Sequence, residues 1–172
     1  SQTLLKKGLA VERFLQNVIV NKDIDAKKLL VADRNAILIS ARVSGYGNIY
    51  ETKAACPACG TSSDHTFDLN DKKIINFELN DELGVKETGH GTFITKMPYS
   101  KFNVEYRLLY GEDEIHISNI TASKRKRKMN ESLLSDQYNR MIVAIEGHKD
   151  GSVIKRYIDN MPTIDSRLLM SR

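Results

Sequence analysis

With 172 residues and 41% apolar composition, the chain has enough material to bury an interior as one domain. Its two cysteines, Cys56 and Cys59, are too close together to staple distant parts of a secreted disulfide fold, and runs such as AILI (36–39) and MIVAI (141–145) fall far short of the roughly 20 residues a membrane helix needs. The net charge of +4 is concentrated in Lys124, Arg125, Lys126, Arg127 and Lys128, which leaves about −1 for the rest and excludes a generally basic nucleic-acid-binding body.

The first segment, SQTLLKKGLAVERFLQ, interrupts its apolar positions with charges, so it reads as neither a signal-peptide core nor its cleavage site and points to the cytosol. Residues 4–20 are predicted helical, with Leu5, Leu9, Phe14 and Val18 on one stripe. Asp25 is placed to cap a second helix from 26 onward, in which Leu30, Ile37, Leu38 and Ala41 share a face until the glycines of SGYGN (44–48) stop it. The period then changes. IYETKAA and DHTFDLN flank a CPACG turn as extended arms, KKIINFEL (72–79) reads as a strand, and GTFITKMP (91–98) leads through YSKF into the alternating strand NVEYRLL (103–109) as a hairpin. From 130 the helical period returns, with Leu134, Tyr138, Met141, Ile142 and Ile145 on one stripe, ended by EGHKDG. VIKRYIDNMP forms a further helix stopped at Pro162, and TIDSRLLMSR starts another with Thr163 or Asp165 as cap. The segregated order predicts an α+β fold of N-terminal helices, a small antiparallel sheet with a zinc-knuckle-like hairpin, and C-terminal helices. It forms one domain over 1–172, with 48–70 a knuckle-bearing subregion and 122–130 a basic loop.

Chemistry is sparse. A zinc knuckle needs two thiolates on a tight turn, and CPACG supplies proline inside the turn and glycine just after it. The zinc reading is preferred to an empty structural turn. A thioredoxin-like redox site fits worst, because polar, turn-like residues rather than a helix follow Cys59. Structural zinc takes four ligands, so Cys56 and Cys59 make a half-site with His65 the nearest further donor and Asp64 a weak one. His90, His116 and His148 read as solvated. There is no glycine-rich phosphate loop and no G-x-S-x-G elbow, and the acidic GEDEIH (111–116) reads as a solvated loop, so catalysis is not expected. The tract Lys124–Lys128 is a candidate strip for an acidic partner or phosphate. It has no interleaved aromatic residue, which limits nucleic-acid binding to a non-specific kind.

LLVADRNAILISARVSGYGNIYETKAACPACG, GTFITKMPYSKFNVEYRLLYGEDE and YIDNMPTIDSRLL together resemble the baseplate hub subunit family of T4-like contractile-tailed bacteriophages, from about residue 9 to the C-terminus. The most specific parts are the block before the CPACG knuckle, Met97-Pro98 leading to the strand end at Arg107, and Met161-Pro162 followed by Asp165-Ser166-Arg167. The resemblance implies a non-enzymatic structural or assembly protein of the virion tail, assembled in the host cytoplasm through contacts with other baseplate, hub or tail proteins. A zinc-ribbon accessory protein that binds nucleic acid, and an assembly chaperone absent from the finished particle, are the alternatives. The chain departs from its look-alikes at Leu169, where a second arginine is expected, and in ending at Arg172 before the second C-x-x-C that such relatives carry. Without that pair, zinc is expected to bind the chain weakly. The apolar residues Met141, Ile142, Leu168, Leu169 and Met170 are candidate contact faces.

Overall fold

The computed structural model describes residues 9–71, 84–129 and 132–171. The expected strand at 72–79 and the first residues of the N-terminal helix lie outside them. The order of elements is α1 (Leu9–Val18), a 3-10 turn (Ala26–Lys28), α2 (Val31–Tyr46), β1 (Ile49–Ala55), β2 (Ser62–Asp68), β3 (Val85–Glu87), β4 (Phe93–Lys96), β5 (Asn103–Tyr106), α3 (Gly111–Lys126), α4 (Leu133–Met141), β6 (Ile142–Ile145), α5 (Gly151–Asp159) and α6 (Thr163–Met170). A short 3-10 turn also follows β2 at Leu69–Asp71. The fold is α+β, with helices at both ends and antiparallel sheets between them.

The main core forms on a four-stranded antiparallel sheet ordered β3-β4-β5-β6. Period-2 alternation in β5 sends Val104 and Tyr106 to one face, where they meet Ile142 and Ile145 of β6, Met97 beyond β4, and Tyr138, Ile154, Ile158 and Leu169 from α4, α5 and α6. The predicted hairpin pairs Thr95 with Val104 and Phe93 with Tyr106, and Met97 N–H donates to Phe102 O at 2.8 Å to close it. Met97 and Val104 are completely buried.

The stretch MIVAI does not continue the preceding helix. α4 ends at Met141, and Ile142–Ile145 pairs with β5. A short apolar run satisfies both a helical stripe and a strand buried on both faces, so periodicity alone does not separate them. Here the free edge of β5 decides the outcome. The contact faces expected from these residues are interior: Ile142 and Leu169 lie in the core, with Met141 and Leu168 packed against it, and only Met170 is exposed. β6 leaves through a two-residue turn in which Glu146 and Gly147 both have positive φ (49° and 78°), the mirror-image geometry that suits a twisted hairpin.

A smaller cluster joins α1 to α2. Leu15, Ile19 and Ala26 are buried, with Leu29, Ile37 and Leu38 packed against them. The expected stripe on α1 is rotated: Phe14 and Val18 are exposed, and Glu12, Leu15 and Ile19 point inward. Asp25 accepts from Lys27 N–H at 3.0 Å, so it caps the 3-10 turn rather than α2, which begins at Val31. The most buried residue of α2 is Arg34, and Ile37, Leu38 and Ala41 are half-buried.

Charged residues tie these parts together. Arg34 Nη1 donates to Ala26 O at 2.8 Å, both of its Nη atoms bond the Glu12 carboxylate, and its Nε lies 3.2 Å from Glu114. Gly111, at the start of α3, lies directly against this guanidinium: a Cβ there would sit 2.2 Å from Arg34 Nη1. The acidic stretch 111–116 is therefore the first turn of a helix and not a loop. Asp113 is fully buried, takes a two-pronged bond from Arg107 (2.7 and 2.8 Å), a bond from Arg140 Nε (2.8 Å), and the Tyr110 N–H at 3.0 Å. Burial alone would raise its carboxyl, but the hydrogen bonds from Arg107, Tyr110 and Arg140 outweigh it and hold the group at about 2.

Asp165 plays a similar part at the other end of the core. Neither it nor Thr163 caps α6, whose N-cap position is Pro162. The buried Asp165 carboxylate instead accepts from the backbone N–H groups of Tyr99 (2.8 Å) and Ser100 (3.1 Å) in the β4–β5 turn, while Tyr138 Oη donates to Ser166 O at 3.0 Å. The MP and DSR motifs thus meet in space and hold the hairpin turn to the last helix.

Candidate partner interface

β1 and β2 form a separate two-stranded antiparallel sheet, in register from Ile49↔Asp68 to Ala55↔Ser62. From Ile49 to Asp68 every residue is exposed except Thr52 and Asp68, which are half-buried. The root is fixed to the body: Asn48 Nδ2 donates to Asp68 Oδ1 at 2.7 Å, Leu69 N–H to Asn48 O at 2.9 Å, and Arg42 Nη1 to Gly47 O at 2.9 Å. Gly47 turns the chain from α2 into β1 at φ 83°, a conformation costly for side-chain-bearing residues.

The register gives the hairpin two chemically different faces, since directly opposed residues project to the same side. On one side lie the opposed pairs Tyr50 and Phe67, Thr52 and His65, and Ala54 and Ser63. His65 stacks along the same side on Phe67, with ring centroids 6.2 Å apart and planes 15° apart. On the other side lie Ile49 opposite Asp68, Glu51 opposite Thr66, and Lys53 opposite Asp64, the last two paired at 3.4 Å, so this face is mostly polar but carries the 48% exposed Ile49 at its root. The first face therefore carries exposed aromatic surface, with Tyr50 at 43% and Phe67 at 47%. Close to its root, Tyr46 is 82% exposed beneath the Arg42 guanidinium.

Cys56 and Cys59 occupy the hairpin tip as exposed free thiols. Cys56 N–H donates to Thr61 O (2.9 Å) and Gly60 N–H to Cys56 O (2.8 Å), with Gly60 at φ 73°. Hydrogen bonding with the Thr61 hydroxyl (Sγ to Oγ1 3.3 Å) and amide, then with the Cys56 thiol, lowers the Cys59 thiol below its ordinary value. His65 does not join them. It pairs across from Thr52, three positions along β2 from the tip, or about 10 Å at the usual strand rise, and its Nε2 sits 2.9 Å from Ser63 Oγ. Among the described residues no group of three or more His, Cys, Asp and Glu converges on a metal position. His90, His116 and His148 are exposed.

The basic tract is not a loop. Lys124, Arg125 and Lys126 form the last turn of α3 and Arg127 is its C-cap. Lys128 follows at φ 54°, with its N–H on Arg125 O (3.2 Å) and Met129 N–H on Lys124 O (3.0 Å), the bonding pattern that satisfies the last carbonyls of a helix. Lys124 is bound to both oxygens of Asp136 at 2.7 Å. Cations at a helix C-terminus are favoured by the helix dipole, which gives the tract a structural reason.

The family model of the T4 bacteriophage base plate protein matches residues 6–170. The chain belongs to that family. No curated protein and no solved structure gave a significant match. The base plate protein is thus a structural component of a phage tail, where other tail proteins are its neighbours. In that setting the hairpin stands out because, among the described residues, little covers it. The sequence reading located its arms and its tip, but missed its segregated faces, which show only when the register between β1 and β2 is known.

No helix among the described residues is long and apolar enough to cross a membrane.

Proposed function

We propose that this base plate protein is a non-enzymatic hub component that works through protein–protein contacts, and that the β1–β2 hairpin is its docking arm. The observation that carries the reading is the uncovered aromatic face of Tyr50 and Phe67 on a hairpin rooted at one end and exposed along its length. A two-stranded hairpin alone in water is at best marginally stable, so a surface that covers this face stabilises the arm as it binds. Among the described residues the outer edges of β1 and β2 pair with no further strand, and such edges can accept one from a neighbour. The chain assembles into the base plate from the host cytoplasm and remains in the tail. Phosphate contact at Lys126, Arg127 and Lys128 is weak and independent of nucleic-acid sequence, because the tract already serves α3 and Lys124 is held by Asp136.

The test is phage assembly with a Tyr50→Ser/Phe67→Ser double variant. The purified variant is expected to keep the helical circular dichroism and thermal melt of the parent, while its incorporation into base plates falls at least tenfold. Normal incorporation would show that the aromatic face is not the docking surface.

A further inference from the structure

We propose that the tip of the hairpin is a thiolate half-site for a soft divalent cation, with Zn²⁺ the natural class, and that a second copy of this chain completes it as a four-cysteine centre joining two hairpin tips. The inference rests on the cysteine pair and its surroundings, independently of the docking role given to the aromatic face.

Three features of the tip carry it. First, the turn closed by the Cys56 N–H to Thr61 O and Gly60 N–H to Cys56 O bonds places both exposed thiols, three residues apart, at one end of the arm. Two thiolates so placed share one ion, and a thiolate pair selects a soft metal over Mg²⁺ or Ca²⁺. Second, the arm supplies no third ligand. His65 lies down the strand against Ser63 and Phe67, and Asp64 is paired with Lys53. A tetrahedral site with two protein thiolates has two positions open, and an identical pair related by a twofold axis fills them with the same soft donors. Third, the tip is built to be approached. Both cysteines are exposed, the residues on either side of them from Lys53 to Asp64 are exposed as well, and the Lys53–Asp64 pair cancels its own charge, so the only charge between two meeting tips is that of the thiolates, which the cation offsets in part.

The experiment titrates the 172-residue chain, reduced with a phosphine, first with Co²⁺ and then with Zn²⁺. Visible absorption and molecular mass from light scattering are followed together. The expected result is one Co²⁺ per two chains, with the charge-transfer and d–d bands of tetrahedral cobalt thiolate, a doubling of mass in step with the bands, and displacement of Co²⁺ by Zn²⁺. Cys56→Ser and Cys59→Ser should each weaken metal binding at least tenfold and abolish the metal-linked dimer while leaving the melt of the body unchanged. His65→Ala and Tyr50→Ser/Phe67→Ser should retain both metal and dimer, which separates this site from the docking face. One metal per monomer, a dimer that forms equally well without metal, or no cobalt thiolate band would each overturn the proposal.

Discussion

The body and the hairpin arm use the same alphabet in opposite ways. In the body, buried charges meet opposite charges or backbone amides: Asp113 lies between Arg107 and Arg140, Arg34 between Glu12 and Glu114, and Asp165 on two backbone amides. In the arm, aromatic residues are turned outward, with Tyr50 and Phe67 side by side and nearly half exposed. Buried ions cost stability unless their partners are present, and a contiguous exposed apolar patch is a candidate contact surface. The contrast teaches that the body is specified by internal polar cross-links, whereas the arm leaves its aromatic face open to solvent.

The harshest way to break the body is Asp113→Ala. It leaves the guanidiniums of Arg107 and Arg140 without their shared carboxylate and the Tyr110 N–H without its acceptor, and removal of one partner from a buried ionic cluster costs about 3–5 kcal/mol. Urea unfolding should show most of the stability of a small domain lost. A loss under about 1 kcal/mol would mean that the cluster is ornamental to the fold.

Gly111→Ala comes next. The added methyl would fall 2.2 Å from Arg34 Nη1, and the guanidinium is held by Glu12 and Ala26 O, so overpacking should cost about 1–3 kcal/mol in the same measurement. Arg34→Ala in the same chain should relieve that particular clash, and the two substitutions should therefore be non-additive.

Acid sharpens the comparison. The Asp113 carboxyl is held at about 2 in the fold, below its ordinary value of 3.8. Its contribution, about 2 kcal/mol, is therefore fully present above pH 4 and is lost as pH falls toward 2, because the unfolded chain takes up the proton first. Asp165, depressed by the Ser100 and Tyr99 bonds against the burial that would raise it, acts in the same direction. Unfolding followed between pH 5 and pH 2 should show this loss in the parent and a flatter profile in Asp113→Asn.

Much of the fold is legible in the sequence where the signal is local. The alternation of Val104 and Tyr106, the YSKF turn, the arms around CPACG and the α5 segment that precedes Pro162 all carry their own period or punctuation, and the structure contains each of them. What was not legible depends on partners distant along the chain. Ile142–Ile145 becomes a strand only because β5 offers an edge, Asp165 leaves its expected capping role for amides 65 and 66 positions away, and the acidic 111–116 segment is a helix start because Arg107 and Arg140 reach Asp113. The same limit applies at the arm. Residue types place His65 near the cysteines, but the one-for-one register of β1 and β2 moves it down the strand and onto Phe67.

The smallest expected effect concerns the basic tract. Lys126→Ser/Arg127→Ser/Lys128→Ser should shift stability by no more than about 0.5 kcal/mol, as for exposed positions generally. It should also lower any retention on a polyphosphate matrix and flatten the salt dependence of that retention. Retention that survives the triple variant at physiological salt would place the phosphate contact elsewhere.

Hydrogen–deuterium exchange, compared between the free protein and the protein in purified base plates, tests the central claim most directly. The division of labour predicts that amides of residues 49–68 exchange rapidly in the free chain and become protected on assembly, while those of β4, β5 and β6 are protected in both. If the hairpin exchanges equally fast in the base plate and new protection appears only on the body, the arm is not the docking element.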